Sequence, residues 1–471
     1  MTDEVATNAG NGTVSPSIGR LVASLRAGNL PDQVRRAAID RIVDTLGVAL
    51  AGSRADVIAR MTRAALVWSP VTTDGATIWG EGLRTSAPTA ALVNAASVHS
   101  EDFDDTHTAG VVHGSTCVVP AAWAAAELCD ADAETVLKAV VAGWEVAARI
   151  GLASRGELHR RGWHPTSVAG VFGAATAAAV VFGLTETEVM HALGLAGSGA
   201  GGINAYLSNG SSGKLLNPAL AAQTGVVAAI LAREGVTGPD QVLEGRFGVF
   251  EACIGSRPEL TDEFRDLGQR WEILRVSTKP YPACHFSHAV IDAIVALRRE
   301  GLSAKNLETV HCHIPPETFR LIAEPWPAKL EPNSVYGLRF SLPWLVAIAL
   351  VDGHVTRDSF TEETLRRDDL RAVAQRVTAV RWEDSPYPYS FPGRAEAMTK
   401  DGRRLVVEVP INRGHPDNPL SAHELRRKFL HCAAARLSQD SAQRLLDELM
   451  TMGERTKIRT LSAHLNSAVS D

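Results

Sequence analysis

The feature that most constrains this chain is a succession of apolar helical segments, at about 87–98, 118–130, 134–154, 165–183, 187–199 and 217–234, rich in alanine and glycine. Side chains that small let helices approach closely, and a helix that is apolar on all sides has to be buried. The run from Val168 to Leu184 carries no charge, but it is short for a membrane span and is built from alanine and glycine rather than leucine and isoleucine, so it reads as a buried helix. Upstream, Pro31-Asp32-Gln33 opens a helix that lines Val34, Ala38, Ile42, Leu46 and Leu50 along one face. A further helix is expected at about 55–68 and a short extended piece at Thr77–Gly80. Leu184 to Glu188 has the hydroxyl-then-acid pattern of a helix start, and Gly235 to Pro239 ends one helix and opens another at 239–244.

The texture changes near residue 275. Val310–Ile314 and Val377–Trp382 read as strands, and Ala395–Thr399, Lys400-Asp401-Gly402 and Arg404–Val409 alternate around an Asp-Gly turn as a hairpin does. Helices at about 286–300, 341–351 and 361–372 lie between them, and helical periodicity returns from Ser421 to Ser467. The expected fold is mostly α. A disordered leader (1–14) precedes a large all-α domain (15–274). A smaller α+β domain (275–410) follows, and C-terminal helices (411–471) return to the first domain. A length of 471 residues agrees with two domains.

A formal charge of −6, with no dense Lys/Arg run, argues against a nucleic-acid partner. The six cysteines are scattered without a CxxC pair, so a disulfide framework and a zinc knuckle both lack their usual spacing. The N-terminus has no apolar signal segment. A cytoplasmic protein with no membrane partner is the expectation.

Charge concentrates in His99-Ser100-Glu101-Asp102-Phe103-Asp104-Asp105-Thr106-His107, with Asn94 before it and His113 after. Four carboxylates so close raise one another's pKa and need cationic or hydrogen-bonding partners if buried. An isolated acidic run is more often a solvated loop, so the rest of the chain must supply those partners. Three polar clusters in apolar surroundings could do so. His164 precedes Pro165 at a helix start, where free N–H groups suit a carboxylate. Lys214 follows a Gly/Ser-rich stretch and is the only lysine between Lys138 and Lys279; Leu215 after it breaks the phosphate-loop pattern. The segment Ser277 to His288 holds Lys279, Tyr281, His285 and His288. The i,i+3 pair His285/His288 lacks a third metal ligand nearby, and His311 and His313 read as surface or interdomain residues.

Taken in order, these motifs resemble the MmgE/PrpD family over nearly the whole chain. The matching pieces are His99-Ser100, Asp102-Phe103-Asp104-Asp105-Thr106, His113, Gly162-Trp163-His164-Pro165-Thr166, Lys214, Lys279-Pro280-Tyr281-Pro282 with His288, and Phe340-Ser341-Leu342-Pro343. Asn217-Pro218-Ala219 stands where the family leads one to expect His-Ala-Gly. The resemblance implies a helical domain with an α+β lid, a homodimer, and a site that works on small polycarboxylates without cofactor or metal. It places Asp102, His113, His164 and Lys214 as catalytic residues and Thr106, Tyr281, His285 and His288 as substrate-binding ones. The expected reaction is that of a lyase (2-methylcitrate dehydration or cis-aconitate decarboxylation), with epimerisation of an iminodisuccinate-like dicarboxylate as runner-up. A non-catalytic carboxylate-binding protein is the alternative of another class. Each of the three reactions moves a proton beside a carboxylate, with Asp102 or a histidine it orients as the expected proton carrier.

Overall fold

The computed structural model describes residues 13–208 and 210–465. Apart from Thr13 and Val14, the expected leader lies outside the described residues. The fold is mostly α. Its buried apolar side chains form two principal cores. One runs from Val14 to Val276 and resumes from Leu425 to Leu465, and the other takes Tyr281 to Ala397.

The first core is a stack of helices around Pro165–Phe182, which packs against Gly114–Cys129, Ala133–Ala153 and Gly213–Arg233. Glycine makes these approaches possible: a Cβ on Gly173 would sit 2.8 Å from the Gly143 carbonyl oxygen, and one on Gly225 would sit 2.5 Å from Ala174 Cβ. Among the described residues two helices have the length and composition to cross a membrane. Pro165–Phe182 is 94% buried inside this core, and Gly213–Arg233 is 56% buried. The six cysteines are free thiols.

The second core packs helices His288–Arg299 and Leu342–Val351 against a four-stranded sheet. Its strand order is Val377–Arg381, Leu307–Ile314, Gly393–Thr399, Arg404–Val409, parallel between the first two and antiparallel elsewhere. The expected Asp-Gly hairpin is the last pair, closed by Thr399 N–H to the Arg403 carbonyl at 2.9 Å. The chain then returns to the first core through Ala422–Ala433, which opens with a capping box between Ser421 and Glu424.

Three readings shift. Residues 239–244 form turns rather than a helix, and the helix there is Val249–Ile254. The expected helix at 361–372 is Asp368–Ala374, preceded by a single 3₁₀ turn. The helices expected from 118 and 217 begin at Gly114 and Gly213, with Pro120 and Pro218 inside them, which puts Lys214 in a first turn. One short pairing matters most for the site. Thr106–His107 runs antiparallel to Val276–Ser277 and ties the acidic stretch to the junction between the two cores.

Candidate active site

Helix Ala87–Ser100 delivers the acidic stretch, and Asp102 follows it in the left-handed region at φ 50°. Asp tolerates that conformation better than most residues, and such outliers gather at functional sites. None of the four carboxylates is solvent-exposed, and each finds a different partner. Glu101 accepts from Arg339 Nη2 at 2.8 Å, with Arg357 Nε at 3.5 Å. Asp102 pairs with Lys214 through one oxygen and with Lys279 Nζ, 3.3 Å away, through the other. Lys279 also donates to the Asp102 carbonyl at 2.8 Å. Asp104 accepts from His99 Nδ1 at 2.8 Å and from Thr116 at 2.5 Å. Asp105 accepts from Ser115 at 2.6 Å, with Arg41 3.7 Å away.

These partners divide the run electrostatically. Burial pushes the Asp102 carboxyl up, but Lys214 and Lys279 outweigh it and hold the group well below the usual carboxylate range. Asp104 is likewise held down against burial by His99 and His113. Asp105 goes the other way: burial, helped by neighbouring Asp44 and Asp104, pushes it up to about 7 despite Arg41 and the Ser115 hydroxyl. Burial disfavours the charge on Lys214, yet Asp102 keeps its ammonium well above the ordinary lysine value.

Above the lysines a small cavity, about 70 Å³, is lined by Asp102, Thr106, His113, His164, Lys214, Lys279 and His285, with Tyr206, Phe340 and Phe391. Burial lowers all three of its core imidazoles, His113 to about 4 despite Asp104, and His164 and His285 well below the ordinary value. They are therefore neutral near pH 7, and their partners assign the tautomers. His113 Nδ1 donates to the Asp105 carbonyl at 2.7 Å, which leaves Nε2 with a lone pair. Phe391 N–H donates to Asn412 Oδ1 at 3.0 Å and so fixes the amide; Asn412 Nδ2 then donates to His285 Nε2 at 2.9 Å. The proton of His285 sits on Nδ1, which has no hydrogen-bond partner. Asn217 Nδ2 lies 3.4 Å from His164 Nδ1.

Six of the eight expected site residues therefore converge on one cavity: Asp102, Thr106, His113, His164, Lys214 and His285. The other two stand off it, contrary to expectation. Tyr281 turns its hydroxyl to Asp292 at 2.6 Å and lines a different cavity. His288 is buried behind His285, ring centroids 4.8 Å apart, and Nε2 donates to the Ala283 carbonyl at 3.0 Å. Among the described residues no three His, Cys, Asp or Glu side chains converge as metal ligands. Asn94 and His107 serve the scaffold. Asn94 bonds Trp79 N and the Thr77 carbonyl, and His107 Nε2 lies 2.9 Å from Glu272. Sequence reasoning missed Lys279 and Asn412 as site residues. Lys279 is visible as the head of a Lys-Pro-Tyr-Pro segment, whereas Asn412 carries no local signal.

Two family models match. The MmgE/PrpD N-terminal domain covers residues 17–261 and the MmgE/PrpD C-terminal domain covers residues 281–452. The chain belongs to the MmgE/PrpD family. It is 30% identical to the cis-aconitate decarboxylase of Mus musculus over 448 residues, covering 92% of this chain and 89% of that protein. It is 26% identical to the cis-aconitate decarboxylase of Aspergillus terreus over 491 aligned positions, covering 100% of this chain and 99% of that protein. Within the MmgE/PrpD pair, the N-terminal domain supplies Asp102, His113, His164 and Lys214, and the C-terminal domain supplies His285, Phe340 and Asn412. The cavity lies where the two MmgE/PrpD domains meet, with Lys279 in the short segment between them.

Proposed function

We propose that this MmgE/PrpD protein is a lyase that decarboxylates a small polycarboxylate of the cis-aconitate type without a cofactor. The observation that carries the reading is the pair of buried ammonium groups, Lys214 and Lys279, facing neutral imidazoles across one cavity. Two fixed cations in low dielectric suit substrate carboxylates and the charge that develops when CO₂ leaves. The names of the relatives point the same way.

In the reaction the C–C bond to one carboxylate breaks and CO₂ departs. Its electron pair forms a new C=C as the original double bond shifts, and the far carbon takes up one proton. Asp102, held so far below its usual range, is a weak base; its part is to position the two lysines. His113 carries the proton. A polycarboxylate entering beside it adds negative charge, raises its pKa from about 4, and recruits the proton that Nε2 then delivers to carbon. His164 and the Nδ1–H of His285 donate to the substrate carboxylates, and Thr106 fixes the substrate beside His113, 3.2 Å from its Nδ1. A cavity of about 70 Å³ is well under the roughly 300–1,000 Å³ of common ligand sites. Substrate entry therefore requires the two cores to part, and the α+β core acts as the lid.

A second reading draws on His113 and His285 coming from different cores: two imidazoles on opposite sides suit proton removal and return, as epimerisation of an iminodisuccinate-like dicarboxylate requires. Incubation with cis-aconitate, 2-methylcitrate and iminodisuccinate in D₂O, followed by proton NMR, separates the readings. Loss of CO₂ with one deuterium gained supports decarboxylation. Loss of water identifies a dehydratase, and deuterium exchange on an intact skeleton identifies an epimerase. No change in any compound leaves a carboxylate-binding protein. A homodimer is part of the proposal: helix Gly213–Arg233 exposes Leu216, Leu220, Val227 and Leu231 at helical spacing. Sedimentation at micromolar concentration should give twice the chain mass. The free thiols favour a reducing, cytoplasmic setting.

A further inference from the structure

A second cavity, about 480 Å³, lies on the other side of the catalytic segment and within the usual ligand-site range. Phe103 and Pro280 to Pro282 line it, no residue of its wall lines the candidate active site, and both cores contribute to that wall. Its charged lining is one-sided: Arg299, Arg357, Arg413, Arg427 and Lys428 against Glu424. Three of these cations are committed. Lys428 is buried, 2.7 Å from Asp44, and donates to the Phe103 carbonyl at 2.9 Å. Arg357 faces Glu101 at 3.5 Å and Arg413 pairs with Glu424. Arg299 and Arg427 have no ion pair or hydrogen bond among the described residues, and His354 and His431 line the same space. Arg299 has Asp292 within electrostatic reach, but the guanidinium groups lining the cavity outnumber the acids lining it; gathered cations repel one another, and a counter-anion relieves that repulsion. Guanidinium is also the group best shaped to hold a carboxylate or phosphate through two bonds.

We propose that this cavity is a second ligand site, separate from the reaction centre, that takes a small polyanion bearing two or more carboxylate or phosphate groups. Arg299 and Arg427 grip the anion, and Lys428 and Arg413 lie deeper. Its wall includes Phe103 and Pro280, the chain neighbours of Asp102 and Lys279.

Calorimetric titration of the full chain with pyrophosphate and, separately, with citrate tests this, and it needs no catalytic turnover, so it can fail independently of the proposed reaction. The variants are Arg299→Ala combined with Arg427→Ala, both exposed positions, and His113→Gln as the active-site control. The proposal expects at least one probe to bind, with affinity falling about 10- to 100-fold in the double variant and staying within about twofold in His113→Gln. A response to pyrophosphate alone identifies a phosphate site and a response to citrate alone a carboxylate site; either supports the proposal. No binding, binding unchanged in the double variant, or binding lost in His113→Gln overturns it. A matching melting temperature for wild type and double variant shows that the arginine changes left the fold intact.

Discussion

The two walls of the candidate active site are built on different principles. The wall from the helical core holds ionised groups in fixed contact, Lys214 against Asp102 with Lys279 bonded from the junction, together with the imidazoles of His113 and His164. The wall from the α+β core presents a neutral imidazole oriented by one amide, His285 on Asn412, and the rings of Phe286, Phe340 and Phe391. One wall grips charge. The other excludes water and sets direction, which strengthens every electrostatic contact inside. Substitutions on the two walls should therefore fail in different ways.

The largest effect is expected from Lys214→Met. On the proposed mechanism it removes a cation that meets the developing charge, and it leaves a buried carboxylate with one partner fewer, so turnover should fall about 10²- to 10³-fold and stability by about 3–5 kcal/mol. Both are read from steady-state rates and chemical denaturation. His113→Gln, which keeps a polar group of similar reach, should lower kcat about 10²- to 10⁴-fold while the unfolding midpoint hardly moves. On the opposite wall, Asn412→Ala frees the His285 ring without touching the substrate. A loss of about 3- to 10-fold, larger in KM than in kcat, is expected. Equal losses on the two walls would remove the distinction.

The smallest effect concerns the helical-core wall at rest. Asp105 titrates near 7 in the fold against an ordinary value of 3.8, so the folded state holds a proton that the unfolded state has released. That contribution is complete below about 4 and is lost as pH rises through about 7. Asp105→Asn, which cannot ionise, should gain stability relative to wild type across this interval, measured as the difference in unfolding free energy at pH 5 and pH 8. Asp102 and Asp104, both lowered, act oppositely: their contribution is present above 3.8 and is lost as pH falls below it.

Much of the helical wall was legible in the sequence. The alanine and glycine content marked the helices, Asp102, His164 and Lys214 lie in polar clusters set between apolar segments, and the site role of His113 rested on the family resemblance. The helix starts at 114 and 213 were harder, because Pro120 and Pro218 read as first-turn residues while packing carries both helices one turn further back. The other wall depends on pairings distant in the chain. Lys279 meets Asp102 across 177 residues, and Asn412 meets His285 across 127. Neither spacing leaves a periodic trace. Tyr281 and His288 share the motif of His285, but Tyr281 is drawn to Asp292 and His288, beyond the 3₁₀ turn at His285–Ser287, to the Ala283 carbonyl. Residue type alone does not show that split.

The central claim is that the imidazole at His113 is neutral when the site is empty and takes up a proton when a polycarboxylate binds. Long-range ¹H–¹⁵N spectra of histidine-labelled protein at pH 7, with His113 assigned by comparison with His113→Gln, measure this directly. Itaconate serves as the unreactive dicarboxylate. The account predicts a neutral Nδ1–H tautomer at His113 in the free protein and an imidazolium in the complex. A His113 already protonated in the free protein, or still neutral with the site saturated, would contradict it.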